Sequence, residues 1–206
     1  MSAQAFYLCT HGQRDVCCGS MGMELLTRLT DGRSATAEFT ENSPEMFIGG
    51  DTELRRCSHT GGHRFAATGI SMPDGYAWAH LSTDIVRAIT QRSVHPKELA
   101  FHCRGSSLLP SGPSQAADRY GLCEVGWDWA DARRSVELLG FERRTMATDL
   151  RITGFLADGE RRAFEVRVAV AAHVPQITCG VIAEPEYKVE PVWMVEGARE
   201  VAAVPQ

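Results

Sequence analysis

Ala5-Phe6-Tyr7-Leu8-Cys9-Thr10-His11-Gly12 is a short apolar run cut off by a turn-forming triplet, and it reads as a buried strand delivering Cys9 to its C-terminal end. Working outward, Met21, Leu25 and Leu29 recur at helical spacing after Cys18-Gly19-Ser20, and Asp31-Gly32 supplies a stop. A helix of about three turns is therefore expected there, with Cys18 near its N-terminus, where the dipole favours a thiolate. Ala35-Thr36-Ala37-Glu38-Phe39-Thr40 reads as a second strand, and the run from Arg64 to Met72 as a third that starts directly after His63. Pro73-Asp74-Gly75 is a strong turn signal. It leads into a hairpin partner, Tyr76-Ala77-Trp78-Ala79-His80, and a helix from about Ser82 to Gln91 with Ile85, Val86 and Ile89 on one face.

The resulting order, β-α-β and then β-β-α, is a thioredoxin-like arrangement, which places the chain in the α/β (α+β) class. A thioredoxin-like domain is expected over residues 1–93. The Ser-, Gly- and Pro-rich stretch 94–113 reads as a linker or ordered loop, and residues 114–206 as a small C-terminal α+β appendage. In that appendage, helices are expected from about Ser114 to Tyr120 and from Trp129 to Leu139, the latter stopped by Gly140. Alternation at Met146, Thr148, Leu150 and Ile152, a turn at Asp158-Gly159 and alternation at Phe164, Val166, Val168 and Val170 predict a hairpin.

Composition narrows the function classes. The 206 residues are 44% hydrophobic, enough to bury a proper core, and the formal net charge of −5 gives no reason to expect nucleic-acid or membrane-surface binding. The Arg pairs at 55–56, 133–134, 143–144 and 161–162 are scattered, as solvated faces are. The start has no basic and apolar leader pattern, and nowhere do eighteen apolar residues run together, so a cytoplasmic protein is expected. Seven cysteines, an odd number without dense spacing, fit reduced thiols better than a disulfide framework.

The chemistry concentrates in Cys9 and Cys18, a Cys-x8-Cys pair, and in His59-Thr60-Gly61-Gly62-His63. Two soft thiolates and two imidazoles make a four-ligand set of the kind that holds zinc or a [2Fe–2S] cluster. Gly61 and Gly62 between the histidines argue for a tight loop, which lets both imidazoles converge and the chain approach an inorganic core closely.

Three segments carry a family resemblance. Cys9-Thr10-His11-Gly12-Gln13-Arg14-Asp15-Val16-Cys17-Cys18-Gly19, Ser58-His59-Thr60-Gly61-Gly62-His63-Arg64-Phe65-Ala66 and Pro73-Asp74-Gly75 resemble successive motifs of the sucrase/ferredoxin-like family. Weaker echoes follow at Arg104-Gly105, Pro113 to Ala117 and Cys179-Gly180. The resemblance implies a thioredoxin-like [2Fe–2S] ferredoxin with Cys9, Cys18, His59 and His63 as cluster ligands. Cys17 adjoins Cys18 and could exchange with it; Cys57, Cys103, Cys123 and Cys179 match no ligand pair and read as structural thiols. Arg14 and Asp15 are expected to organise the ligand loop, and His11 to support the ligands or face solvent. Many family members carry a long segment before the cysteine motif, which here begins at residue 9. A sheet edge left open by its absence is expected to pair with a partner or a second copy.

Such a cluster implies electron transfer rather than catalysis. Two ferric ions, two sulfides and two thiolates sum to zero charge, so imidazole ligands ease electron entry. Histidine-ligated clusters span roughly −150 to +300 mV against about −400 mV for plant-type ones. A ring nitrogen not bound to iron could also exchange a proton with the redox state, coupling the two transfers. The expected partners are redox proteins. The competing readings are a structural zinc site on the same four residues, a thiol redox protein, and a sucrose hydrolase. Cys-x8-Cys is longer than the usual zinc knuckle. No Cys-x-x-Cys occurs, and nothing singles out a catalytic carboxylate pair among 26 acidic residues.

Overall fold

The apolar run at the start of the chain is indeed a strand, Ala5–Cys9 (β1), with Phe6 and Leu8 wholly buried. The computed structural model describes residues 4–12, 16–30, 46–48, 52–175 and 189–203. These fall into two compact units. The first comprises the described residues up to Val94 together with Phe101–Arg104; the second comprises His95–Ala100 and the described residues from Gly105 onwards.

In the first unit β1 is joined by Met46–Ile48 (β2), Thr52–Cys57 (β3), Gly69–Met72 (β4), Tyr76–Trp78 (β5) and Cys103–Ser106 (β6), whose first two residues belong to this unit. The sheet order is β2-β3-β1-β4-β5-β6, so β1 is interior, parallel to β3 and antiparallel to β4. The expected strand at 35–40 lies outside the described residues. The parallel partner of β1 is β3, which charge conceals in the sequence: Thr52 and Leu54 are buried, while Glu53 and Arg55 pair with each other at 2.6 Å. Charged residues are depleted in strands, so a six-residue run that is half charged reads as loop.

Val16–Leu29 (α1) begins before Cys18, which therefore sits in the first helical turn rather than ahead of the helix. Its buried face is Cys18, Gly22, Leu25, Leu26 and Leu29, and Met21, expected on that face, is exposed. The expected strand from Arg64 also needs correction. His63–Phe65 is a 3-10 turn closed by the Phe65 N–H on the Gly62 carbonyl at 2.9 Å, and the strand starts only at Gly69. Two residues with positive φ, Gly61 at 77° and Gly62 at 74°, have already turned the backbone out of any ladder.

The Pro73-Asp74-Gly75 turn holds β4 to β5 as predicted. Ser71 Oγ donates to Asp74 Oδ1 at 2.6 Å, and the buried indole of Trp78 donates to Ser71 Oγ at 2.9 Å. Thr83–Gln91 (α2) follows, its Ser82 cap accepting the Ile85 N–H at 3.3 Å.

The second unit holds Gly112–Val125 (α3), Trp127–Asp131 (α4) and an antiparallel sheet. Its strands are Arg133–Glu142 (β7), Ala147–Phe155 (β8), Arg161–Pro175 (β9) and Val189–Val201 (β10), in the order β10-β9-β8-β7. The expected helix from Trp129 to Leu139 is thus wrong beyond Asp131. Glu137 lies opposite Arg151 on β8 and pairs with it at 3.0 Å, Leu138 lies opposite Leu150, and cross-strand pairing overrides local helix preference. The expected hairpin is present, with Gly159 at φ 89° and Asp158 accepting the Glu160 N–H at 2.8 Å. Its core is the fully buried Trp129, packed on Phe164 at 5.6 Å between centroids, with the indole N–H on Asp118 at 2.9 Å. No helix among the described residues is long and apolar enough to cross a membrane.

Candidate metal centre

Glycine decides how closely α1 approaches the end of β1. A Cβ on Gly22 would lie 2.0 Å from the Cys9 carbonyl oxygen, and one on Gly19 would lie 2.4 Å from Gly12 Cα. Only bare backbone fits, so the Gly19-x-x-Gly22 face lets the first turn of the helix rest on the Cys9-to-Gly12 loop. That contact puts Cys18 beside Cys9. Both are buried, and they form one apolar cluster with Ala66, against which Cys17 and Cys57 pack.

Cys9 is held from both sides, its N–H on the Thr68 carbonyl at 2.9 Å and the Thr10 N–H on the Cys57 carbonyl at 3.3 Å. Its sulfur is surrounded by donors. A hydrogen bond from the Cys57 side chain is the largest influence, and the backbone N–H groups of His11 and Thr60 and a contact with Cys18 act in the same sense. Together they outweigh burial and lower the Cys9 thiol from its ordinary value of 9.0 to about 4. The same hydrogen bond, with burial and the Cys9 charge, pushes Cys57 up, so Cys57 keeps its proton. Because the shift is downward, ultraviolet thiolate absorbance should persist in the metal-free protein well below neutral pH and disappear in Cys9→Ser. Absorbance that titrates only near the ordinary thiol range would contradict this.

The histidine loop hangs from the end of β3. Arg104 Nη1 donates to the Gly61 carbonyl at 2.9 Å and stacks its guanidinium over the Phe65 ring at 4.7 Å. Thr60 and Thr68 hydroxyls meet at 2.6 Å, and Arg56 Nε donates to Thr10 Oγ1 at 3.0 Å, tying this loop to the Cys9 loop. His59 is exposed, and its neighbour Thr60 is the residue whose N–H reaches the Cys9 sulfur. His63 opens the 3-10 turn, and its side chain lies outside the described residues. The structure therefore brings Cys9 and Cys18 together and hangs the two histidine positions on an anchored loop. Among the described residues, no three His, Cys, Asp or Glu side chains stand in a metal-binding arrangement.

A metal–sulfur group suits this donor set: the surroundings of one sulfur favour its thiolate, N–H groups point at it, and a second buried sulfur adjoins it. His11 Nδ1 is buried with no hydrogen-bond partner among the described residues, an orphan of the sort a bound group satisfies. Arg14, Asp15 and Cys179 lie outside the described residues. Sequence reasoning read Cys57 as a structural thiol outside the ligand pairs; the structure packs it, half-buried, against Cys9 and Cys18. The available signal was its place two residues before His59, at the end of a strand that parallel pairing would align with Cys9.

No curated protein and no solved structure matches the chain. A family model described as sucrase/ferredoxin-like matches residues 2–105. That span takes in both cysteines of the pair, the glycine face beneath them, the histidine loop and the arginine that anchors it, and the chain belongs to the sucrase/ferredoxin-like family.

Proposed function

We propose that the chain is an electron-transfer protein whose [2Fe–2S] cluster is held by Cys9, Cys18, His59 and His63. The observation that carries this reading is the Cys9 sulfur, buried beside the Cys18 thiol and surrounded by S–H and N–H donors. Its surroundings favour negative charge on sulfur before any metal arrives, which removes part of the deprotonation cost of ligation. The thioredoxin-like reading of this unit is supported by β1 lying parallel to β3 and antiparallel to β4, with β5 and α2 after them.

When bound, the cluster supplies one-electron exchange at a potential raised by its neutral ligands. The chain's own residues do the rest. Cys9 and Cys18 exclude water from the sulfur side by burial, and the Arg104 anchor keeps the histidine loop from drifting. Exposed His59 leaves solvent beside the loop, the route a proton coupled to the redox state of a bound cluster would take. Retaining that proton favours reduction at low pH, so the midpoint potential should fall as pH rises through neutral. A potential flat with pH in protein-film voltammetry would remove the proton coupling.

The test of the main reading is anaerobic purification with iron, zinc and acid-labile sulfide analysis. Iron and sulfide in equal amounts, with a red-brown colour that bleaches on reduction, are expected. Zinc without sulfide would overturn the reading in favour of a structural site on the same ligands.

A further inference from the structure

We infer that Cys57 belongs to the same centre as a positioning residue: its thiol donates a hydrogen bond to the Cys9 sulfur, holding that ligand in place and raising the potential of the bound cluster. The inference rests on the cluster reading above. Its physical basis is the strand register. β1 and β3 run parallel, so their C-terminal ends fall together, and Cys9 is directly opposite Cys57. Side chains at paired positions point to the same face of a sheet, which brings the two sulfurs into hydrogen-bonding contact. Cys57 also packs against the cluster formed by Cys9, Cys18 and Ala66, and it is only half-buried.

The direction of the hydrogen bond follows from ligation itself. A metal-bound Cys9 is a thiolate and can only accept, so Cys57 must be the donor. Donation draws electron density from the ligand sulfur and makes an added electron less costly, one of the recognised controls of iron–sulfur potential. Cys57 lacks a place in the Cys-x8-Cys and His-x3-His pattern, so its role is through Cys9 rather than at iron. A thiol that merely fills space would leave the potential unmoved.

The experiment compares the full chain with Cys57→Ala and Cys57→Ser, all purified anaerobically, by iron and sulfide content, electron paramagnetic resonance and midpoint potential. Both variants should retain the cluster. The alanine variant should have a lower potential with shifted resonance positions, and the serine variant, which restores a donor, should recover much of the difference. Should the alanine variant fail to fold, Cys57→Val fills the space without a donor and carries the same expectation. Equal potentials in the parent and the donor-free variant overturn the inference. Loss of the cluster from both alanine and serine variants in folded protein also overturns it, by making Cys57 a ligand. A parent without iron and sulfide overturns the cluster reading itself, a result distinct from either.

Discussion

Gly22→Ala should strip the centre and destabilise the first unit by about 3 kcal/mol, the upper range for overpacking a close contact. The added methyl would begin 2.0 Å from the Cys9 carbonyl oxygen and 3.1 Å from its carbonyl carbon, both backbone atoms that cannot swing aside. The helix must move instead, and Cys18 moves with it, away from Cys9. Ordinarily a Gly-to-Ala change inside a helix is favourable by about 1 kcal/mol, so the sign of the result separates close approach from propensity. Urea denaturation and iron content would be read together. Gly197→Ala is the control, because nothing lies within 4 Å of a Cβ there, and it should stay within about 0.5 kcal/mol of the parent. A Gly22→Ala protein as stable and as iron-rich as the parent would mean that the glycine face does not set the cysteine pair.

Asp118→Ala should cost the second unit about 3–5 kcal/mol, the range for breaking a buried charge pair by removing one partner. Asp118 is wholly buried, faces the Arg134 guanidinium at 3.6 Å and accepts the Trp129 indole N–H at 2.9 Å. Arg134 is itself only 7% exposed, so losing the carboxylate leaves a cation with little water to turn to. Asp118→Asn keeps an acceptor for the indole and removes only the charge, so it should fall between the parent and Asp118→Ala. A loss below about 1 kcal/mol for the alanine variant would put the pair among surface bridges and contradict its burial. The contrast with the outer face of the same sheet is instructive. There Arg151 bridges Glu137 and Glu165, and Arg199 also reaches Glu165, but Glu137 and Arg199 are largely exposed and the contribution of their pairs is screened.

What the sequence discloses of this fold follows the range of the interactions that make each element. β1, the β4–β5 turn, α2 and the β8–β9 hairpin are written in short-range signals: an apolar run, Pro73-Asp74-Gly75, a Ser82 cap, a strict alternation. β3 is not, because half its residues are charged and its strand state depends on parallel pairing with β1 some forty-eight positions away. β7 reads as helix until Arg151 and Leu150 on β8 are seen opposite Glu137 and Leu138. The candidate centre divides the same way. Cys9, Cys18 and the Gly-Gly histidine loop are motif residues; Cys57 becomes visible only through register, and Gly22 only through a distance to backbone.

The first unit is thus organised around sulfur: strand pairing sets Cys57 against Cys9, glycine packing sets Cys18 against Cys9, and Arg104 pins the loop carrying both histidines. The central claim is that two histidine nitrogens complete a cluster begun by those two cysteines. Pulsed electron paramagnetic resonance of the reduced protein, grown with isotopically labelled histidine nitrogen, tests it most directly. The account predicts strong couplings from two directly bound nitrogens, one of which is lost in His59→Cys and the other in His63→Cys. A cluster signal free of strong nitrogen coupling would contradict it.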